Sequence, residues 1–397
     1  MKIKGLTYTL SLLALSAAAN AEQATPNPAA WQDKVRVHGF ATQSYLHSDA
    51  NNFFGQSDSG SFDFRELGVN ALWRPISELQ FAAQLVARSA GSTDDGAVRV
   101  DYALMDYAFA RSATGTTGLR LGRMINPYGF YNDTRDIAAT RPSILLPQSI
   151  YFDVNRNLAL SSDGVQGYHE YGTDAGQYTF QLGVTKPRTQ DPDLEPSVLF
   201  QDGPGKLEGT VSWMGRALYE HNFGRIRVGL TAAEVNADYE PGVQDPVGNG
   251  EFSLRPYILS AEYNLERWSF TAEYAKRTTE LSGFQSLPDL EFTGTSYYAQ
   301  SIYRFAPNWQ AFARFDELIW NDDDKDGREY AALTGRPAHS RFAKDWTLGL
   351  RWDPTPKLML RAEWHSIDGT GWLSSLENPS STERHWNLFS LSASLTF

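Results

Sequence analysis

There is no cysteine among the 397 residues. That excludes a thiol nucleophile, a thiolate metal site and the disulfide framework with which secreted soluble proteins often staple themselves. Histidine is scarce, at 7. His38, His365 and His385 fall on or beside expected strands, and His47, His169, His221 and His339 near strand ends or in loops. No Gly-x-Ser-x-Gly motif and no close Ser/His pair supplies the nucleophile and positioned base of a hydrolase, so the sequence points away from an enzyme. An excess of basic charge is missing too. The net charge of -12 argues against nucleic acid as a partner, because that partner selects a basic face. After the N-terminal segment no apolar run is long enough to cross a bilayer as a helix. The negative mean hydropathy does not exclude a membrane barrel, whose strands alternate and average out to polar.

What is present begins with a targeting segment. Lys2 and Lys4 precede an apolar run, Leu6 to Ala19, and Ala19-Asn20-Ala21 fits the small-x-small cleavage rule. Residues 1–21 therefore read as a signal peptide cleaved after Ala21, and residues 22–397 as the mature domain. An anchor helix is the alternative; it needs roughly 20 apolar residues, and Thr7, Tyr8, Thr9 and Asn20 interrupt the run. Glu22 to Ala30 is a Pro/Ala-rich, extended lead-in.

From there one unit recurs: an alternating segment of about ten residues, a very short turn, a second alternating segment and a longer polar loop. Tyr178, Phe180, Leu182 and Val184 oppose Gln177, Thr179, Gln181 and Thr185. Leu358, Leu360, Ala362 and Trp364 oppose Met359, Arg361, Glu363 and His365. Phe389, Leu391, Ala393, Leu395 and Phe397 oppose Ser390, Ser392, Ser394 and Thr396. A period of two places each set on one wall of a strand. Seven short turns, near residues 74–77, 111–118, 174–176, 222–224, 265–266, 306–308 and 354–356, interleave with eight long loops, near 47–60, 90–97, 125–163, 187–209, 236–252, 279–292, 321–342 and 368–385. The pattern predicts an all-β fold, an antiparallel transmembrane barrel of about sixteen strands with short periplasmic turns and long extracellular loops.

Tryptophan supports this against a soluble propeller. Trp73, Trp268, Trp309 and Trp352 sit beside short turns, and Trp213, Trp320, Trp346, Trp364 and Trp386 toward the long loops. Two rings are what two membrane interfaces select. Phe62 to Trp73 and Val98 to Ala110 change parity midway and predict bulges or strand parts above the membrane.

The chain resembles the Gram-negative outer-membrane porins. The resemblance rests on the signal peptide, on the final strand Trp386 to Phe397 with its terminal Phe, and on Leu119-Arg120-Leu121-Gly122-Arg123-Met124-Ile125-Asn126-Pro127-Tyr128-Gly129. The last is similar to the Leu-Gly-Arg-x-x-x-Pro-Phe-Gly pattern before the inward-folded third loop, with Tyr128 in place of Phe. The resemblance implies a sixteen-stranded barrel, a homotrimer, and assembly by the outer-membrane machinery reading Phe397. It implies no substrate, and no run of loop lysines or serines carries phosphate selectivity over. Outward small residues Gly39, Ala41, Ala83 and Ala87 would suit a subunit contact.

The third loop is the longest, and Ile144-Leu145-Leu146-Pro147 and Ile150-Tyr151-Phe152 make it too apolar for disorder. It is expected to fold into the barrel. Asp133, Arg135, Asp136, Arg141, Asp153 and Arg156 either face the lumen as a constriction or pin the loop by salt bridges. Parity places Arg36, Arg120, Arg216, Arg227, Arg314, Arg351 and Arg361 on the inner wall, with Glu273 and Glu363, which suggests a transverse field with an anion preference. Tyr128, Phe130, Tyr131, Tyr151 and Phe152 form a slide for sugars or, the reading preferred on packing grounds, fix the loop to the wall. Asp322, Asp324 and Asp326 with Gly327 match the first half of a calcium loop, but Leu333 stands where its bidentate Glu would be. A solvated acidic loop is the alternative to a surface Ca²⁺ bridging lipopolysaccharide; no other cofactor is expected. The sequence thus leads to passive diffusion of small hydrophilic solutes or ions through a water-filled pore, with a non-conducting adhesin or structural barrel as the rival.

Overall fold

The computed structural model describes residues 34–189, 194–199 and 204–397. The expected signal peptide, its cleavage site and the lead-in lie outside the described residues. The wall consists of β1 (Val35–Ser48), β2 (Arg65–Ile76), β3 (Leu79–Ser89), β4 (Asp95–Arg111), β5 (Gly115–Ile125), β6 (Ser161–Thr173), β7 (Gly176–Pro187), β8 (Lys206–Gly209), β9 (Ser212–His221), β10 (Ile226–Glu240), β11 (Gly250–Asn264), β12 (Trp268–Ser282), β13 (Leu290–Ala306), β14 (Trp309–Ile319), β15 (Phe342–Thr355), β16 (Leu358–Gly369) and β17 (His385–Thr396). Neighbours in sequence pair antiparallel, and β17 returns to β1 in the register Phe40↔Thr396 to Ser48↔Leu388. Both β8 and β9 lie against β10, so they share one place in the wall and the closed sheet has sixteen staves. Closure leaves no unpaired edge, which hydrocarbon would not tolerate.

The turn classes fall where the sequence puts them. β2 and β3 are joined at Ser77-Glu78, β6 and β7 at Asp174-Ala175, and β13 and β14 at Pro307-Asn308. Spanning strands need only about 9–11 residues; β1 has 14 and β13 has 17, so the surplus rises on the long-loop side.

Alternation decides the two faces. Phe180, Leu182, Val184, Leu230, Leu259, Leu348, Leu350, Leu391 and Leu395 are all exposed, whereas Gln181, Thr231, Ser260, Thr347, Ser390 and Ser392 are buried inside. A continuous apolar belt of this kind has a physical reason only against lipid. The lower ring is stacked, with Trp309 on Trp352 at 5.3 Å and Trp268 on Tyr303 at 4.5 Å between ring centres. The upper ring is smaller than expected. Trp213, Trp346 and Trp364 are exposed, but Trp386 has the parity of inward Ser390 and is buried, donating to the Gly369 carbonyl. Trp320, beyond the end of β14, turns inward and donates to the Gly371 carbonyl at 2.7 Å. The expected bulge in β4 is at Asp101: Gln84 pairs with Tyr102 and Leu85 with Val100. One extra residue bends the strand and buries both Asp101 and Tyr102.

Above the middle of the barrel the long loops pack on one another. Phe53 and Phe54 of the first loop meet Trp372 of the last, Trp386, and Ile144 and Leu145 of the third. Phe54 holds a left-handed backbone, φ 56°, a conformation that costs a bulky residue energy. Complete burial of its ring offsets that cost, as does the Glu377 carboxylate of the last loop. Glu377 accepts from the amides of Phe54 at 2.9 Å, Gly55 at 2.7 Å and Ser92 at 2.9 Å.

Candidate functional site

The third loop leaves β5 at Ile125 and returns at Ser161, the start of β6. Pro127-Tyr128-Gly129 turns it inward. Gly129 has φ 57°, and a Cβ there would press on the Tyr151 hydroxyl and on Glu273, so the position requires glycine. The turn is bolted to the wall. The Thr231 hydroxyl meets the Pro127 carbonyl and the Gly129 amide, each at 3.3 Å, and Arg216 donates to the Gly129 carbonyl at 2.8 Å.

A loop of irregular backbone inside a barrel has no ladder to satisfy its amides and carbonyls. Here wall side chains take the ladder's place. Arginines donate to loop carbonyls: Arg361 to Ala138 at 3.0 Å, to Ser143 at 3.1 Å and to Arg141; Arg314 to Leu145 at 3.1 Å; Arg277 to Ser149 at 2.7 Å. Wall carboxylates accept the loop amides: Glu363 from Ile144, Glu273 from Phe130 at 2.9 Å, Asp316 from Ser149 at 3.4 Å. Tyr151 completes the bolt by donating to Glu273 at 2.6 Å while its oxygen accepts from the amides of Phe130 and Tyr131 at 2.8 and 3.0 Å. Burial, reinforced by Glu273, lifts this phenol well above its ordinary range, so it remains a donor.

The six charged loop residues are all paired. Asp133 meets Arg216 at 2.7 Å, Asp136 meets Arg156, and Arg135 meets Asp153 at 3.3 Å. Arg141 meets Glu66 at 2.5 Å, and Asp153 also meets Arg88 at 2.8 Å. Asp133 alone of the six is partly exposed; the other five are buried. The expected wall arginines divide by height. Arg120, Arg216, Arg314 and Arg361 are buried, Arg120 against Asp106 at 3.2 Å and Gln166 at 2.8 Å. Toward the short turns, Arg227 lies between Glu220 at 2.9 Å and Glu262 at 3.2 Å, and Arg351 beside Asp353 at 2.9 Å, all partly exposed. Arg36, at the base of β1, is exposed. Tyr128, Phe130, Tyr151 and Phe152 are buried and Tyr131 half-buried between loop and wall.

The acidic loop uses its carboxylates singly. Asp324 accepts from the amides of Glu329 at 3.2 Å and Tyr330 at 2.8 Å, at the start of the short helix α1 (Arg328–Thr334). Asp322 accepts from Thr295 at 2.8 Å and Asp326 meets Arg328 at 2.9 Å. Among the described residues no group of three His, Asp or Glu is arranged to hold a metal.

Sequence reasoning missed Glu66, Arg88 and Arg277. Glu66 and Arg88 are direct cross-strand partners, but Glu66 lies in a segment whose parity looked confused. Arg277 shares its face with Glu273, four residues earlier, and parity alone would have found it.

No protein-family model matches the sequence, and no curated protein matches it. Solved structures do. The barrel is similar to the outer membrane channel DcaP of Acinetobacter baumannii, with TM-score 0.57 and 11% identity over 91% of this chain and 97% of that one. It is similar to an anion-selective porin from Comamonas acidovorans, with TM-score 0.55 and 12% identity over 91% and 99%. The trimer form of OmpT, an outer membrane protein of Vibrio cholerae, gives 0.55 and 12% over 91% and 99%. At such identities the likeness shows the fold: this chain folds as outer-membrane porins do.

Proposed function

We propose that the chain is a bacterial outer-membrane channel for small hydrophilic solutes, narrowed by its third loop. The observation that carries this is a sixteen-stave barrel with an apolar outer belt and a polar interior, crossed by one long loop bolted to the wall. Sixteen strands enclose an aqueous channel, whereas eight are filled by side chains. Export by a signal peptide, residence beside lipid and lipopolysaccharide, and assembly as a homotrimer belong to the same reading. So does transport without catalysis: the shortest His–carboxylate pair among the described residues, His365 with Asp345 at 2.8 Å, is buried in the wall.

A weak anion preference is part of the proposal, with its origin moved down the lumen. Arg36 and Arg74 lie on neighbouring strands at the short-turn mouth, and among the described residues neither has a carboxylate within 4 Å. Arg227 and Arg351 are offset by their acids. In a salt gradient, the double variant Arg36→Glu, Arg74→Glu should move the reversal potential toward cation preference. An unchanged potential would remove the pair from the filter.

The rival is a sealed barrel acting through its loops as an adhesin or structural surface protein. The burial of Glu273, Arg314 and Glu363 under the loop, each 1% exposed, favours it. Planar-bilayer recording separates the two. The channel reading expects discrete conductance steps from the wild type and larger ones from Arg314→Ala, which unties Ser143 and Leu145. Silence from both proteins leaves the sealed barrel.

A further inference from the structure

We propose that the long-loop half of the barrel contains a binding site for a small amphipathic monocarboxylate, its head on Arg277 and its apolar body between the third loop and the wall. The site rests on the channel reading only for its role as a solute station; binding itself does not.

A small cavity, partly open to solvent, lies between the third loop and the wall on the long-loop side. Ile150, Phe152 and Leu158 of the loop line one side, and Met214, Val235 and Leu254 of the wall the other. Inner-wall positions of an aqueous barrel are ordinarily polar. A concave apolar surface with few polar groups is instead the character of a small-molecule site. Arg277 is the one charged residue on this lining among the described residues.

The state of that arginine identifies the ligand. The buried loop and wall arginines around it have acids: Arg88 and Arg135 share Asp153, Arg141 has Glu66, Arg156 has Asp136 and Arg216 has Asp133. Arg314 and Arg361 have none, but each makes three hydrogen bonds to protein oxygens, and neither lines the cavity. Arg277 makes two, to the Ser149 carbonyl and the Ser296 hydroxyl. Its guanidinium lies over the Phe152 ring at 4.6 Å, and among the described residues no carboxylate is within 4 Å. A guanidinium has five N–H donors in a fork that fits a carboxylate. A buried cation with no carboxylate bonded to it, Asp316 acting on it only from beyond 4 Å, selects an anion in an apolar cavity. One cation selects a single negative charge, because a second would be desolvated unpaired. Phe152 and Trp320, with ring centres 5.7 Å apart and Trp320 also on the lining, suit a flat body such as a benzene ring.

Calorimetry on the purified, detergent-solubilised protein tests this with benzoate, and with benzamide as its neutral isostere. Saturable benzoate binding is expected, with benzamide weaker by about tenfold or more, the worth of a charge-assisted hydrogen bond. Arg277→Gln should lose the same factor. Val235→Trp, which fills the cavity and leaves the bonds of Arg277 in place, should abolish binding and decides the matter if the first variant does not fold. Absence of saturable binding, equal binding of benzamide, or wild-type affinity in Val235→Trp would overturn the site. Benzoate binding by a protein that never conducts keeps the site and sinks the channel; conductance without benzoate binding does the reverse.

Discussion

Tyr151 is the residue on which the third loop turns, since it donates to Glu273 and receives two loop amides. Tyr151→Phe leaves those amides and a carboxylate short of partners, and should cost about 1–3 kcal/mol. The readout is the temperature at which the barrel loses its folded electrophoretic mobility, with noisier conductance in bilayers; an unchanged transition would refute the bolt. Glu66→Gln leaves Arg141 and Arg88 short of charge in a buried site and should cost more, about 3–5 kcal/mol. His339 adds a pH dependence. Burial holds its imidazole below the usual range, and its Nε2 lies 3.1 Å from the Thr382 carbonyl. The neutral ring is favoured in the fold, so its contribution is whole above the unfolded value of about 6.5. It is lost as pH falls through the lowered one. Acidification from about 7.5 to about 5 should therefore speed hydrogen exchange at the Thr370 amide, bonded to the His339 carbonyl at 2.8 Å. Unaltered protection, after correction for intrinsic rate, would count against it.

At the scale of elements, parity has consequences that two tryptophans separate. Trp386→Ala empties a packed interior site and should lower stability by about 3–5 kcal/mol, whereas Trp346→Ala, at the lipid-facing surface, should change detergent-state stability far less. Equal losses would mean that the faces of β15 and β17 are misassigned. The outer wall was legible because its signal is local: Phe180, Leu182 and Val184 declare their face by spacing alone. Pro354 and Pro356 or Asn222 to Gly224 declare a turn by composition. Trp386 was also legible, had its even number been set against Ser390 and Ser392. The wall partners of the third loop were not. Arg314 and Ser143 are 171 positions apart and Ile144 and Glu363 are 219, and nothing near either partner in sequence names the other. The acidic loop is a different case: its spacing matches half a calcium motif, and the partners of Asp324 are only five and six positions on, within reach of local reasoning about a helix start; Asp324→Ala should unravel α1 with or without calcium.

For the whole molecule, the barrel divides into two environments. Below the third loop the lumen is lined by Arg36 and Arg74 and by Arg227 and Arg351 with their acids; above it, loops and wall enclose apolar clusters and the cavity at Arg277. On the channel reading proposed above, a solute passing from outside would meet an apolar chamber before a charged one, an order that would favour molecules carrying both characters over bare ions.

The Glu377 clasp has a bearing on how such a cylinder is finished. The first and last strands meet at a seam, and the segments above it belong to the two ends of the chain. A carboxylate from one end gripping three amides from the other cannot engage until the circle is complete. Once engaged, it must be undone before the seam can part, so a contact that forms only on closure also opposes sideways opening into lipid.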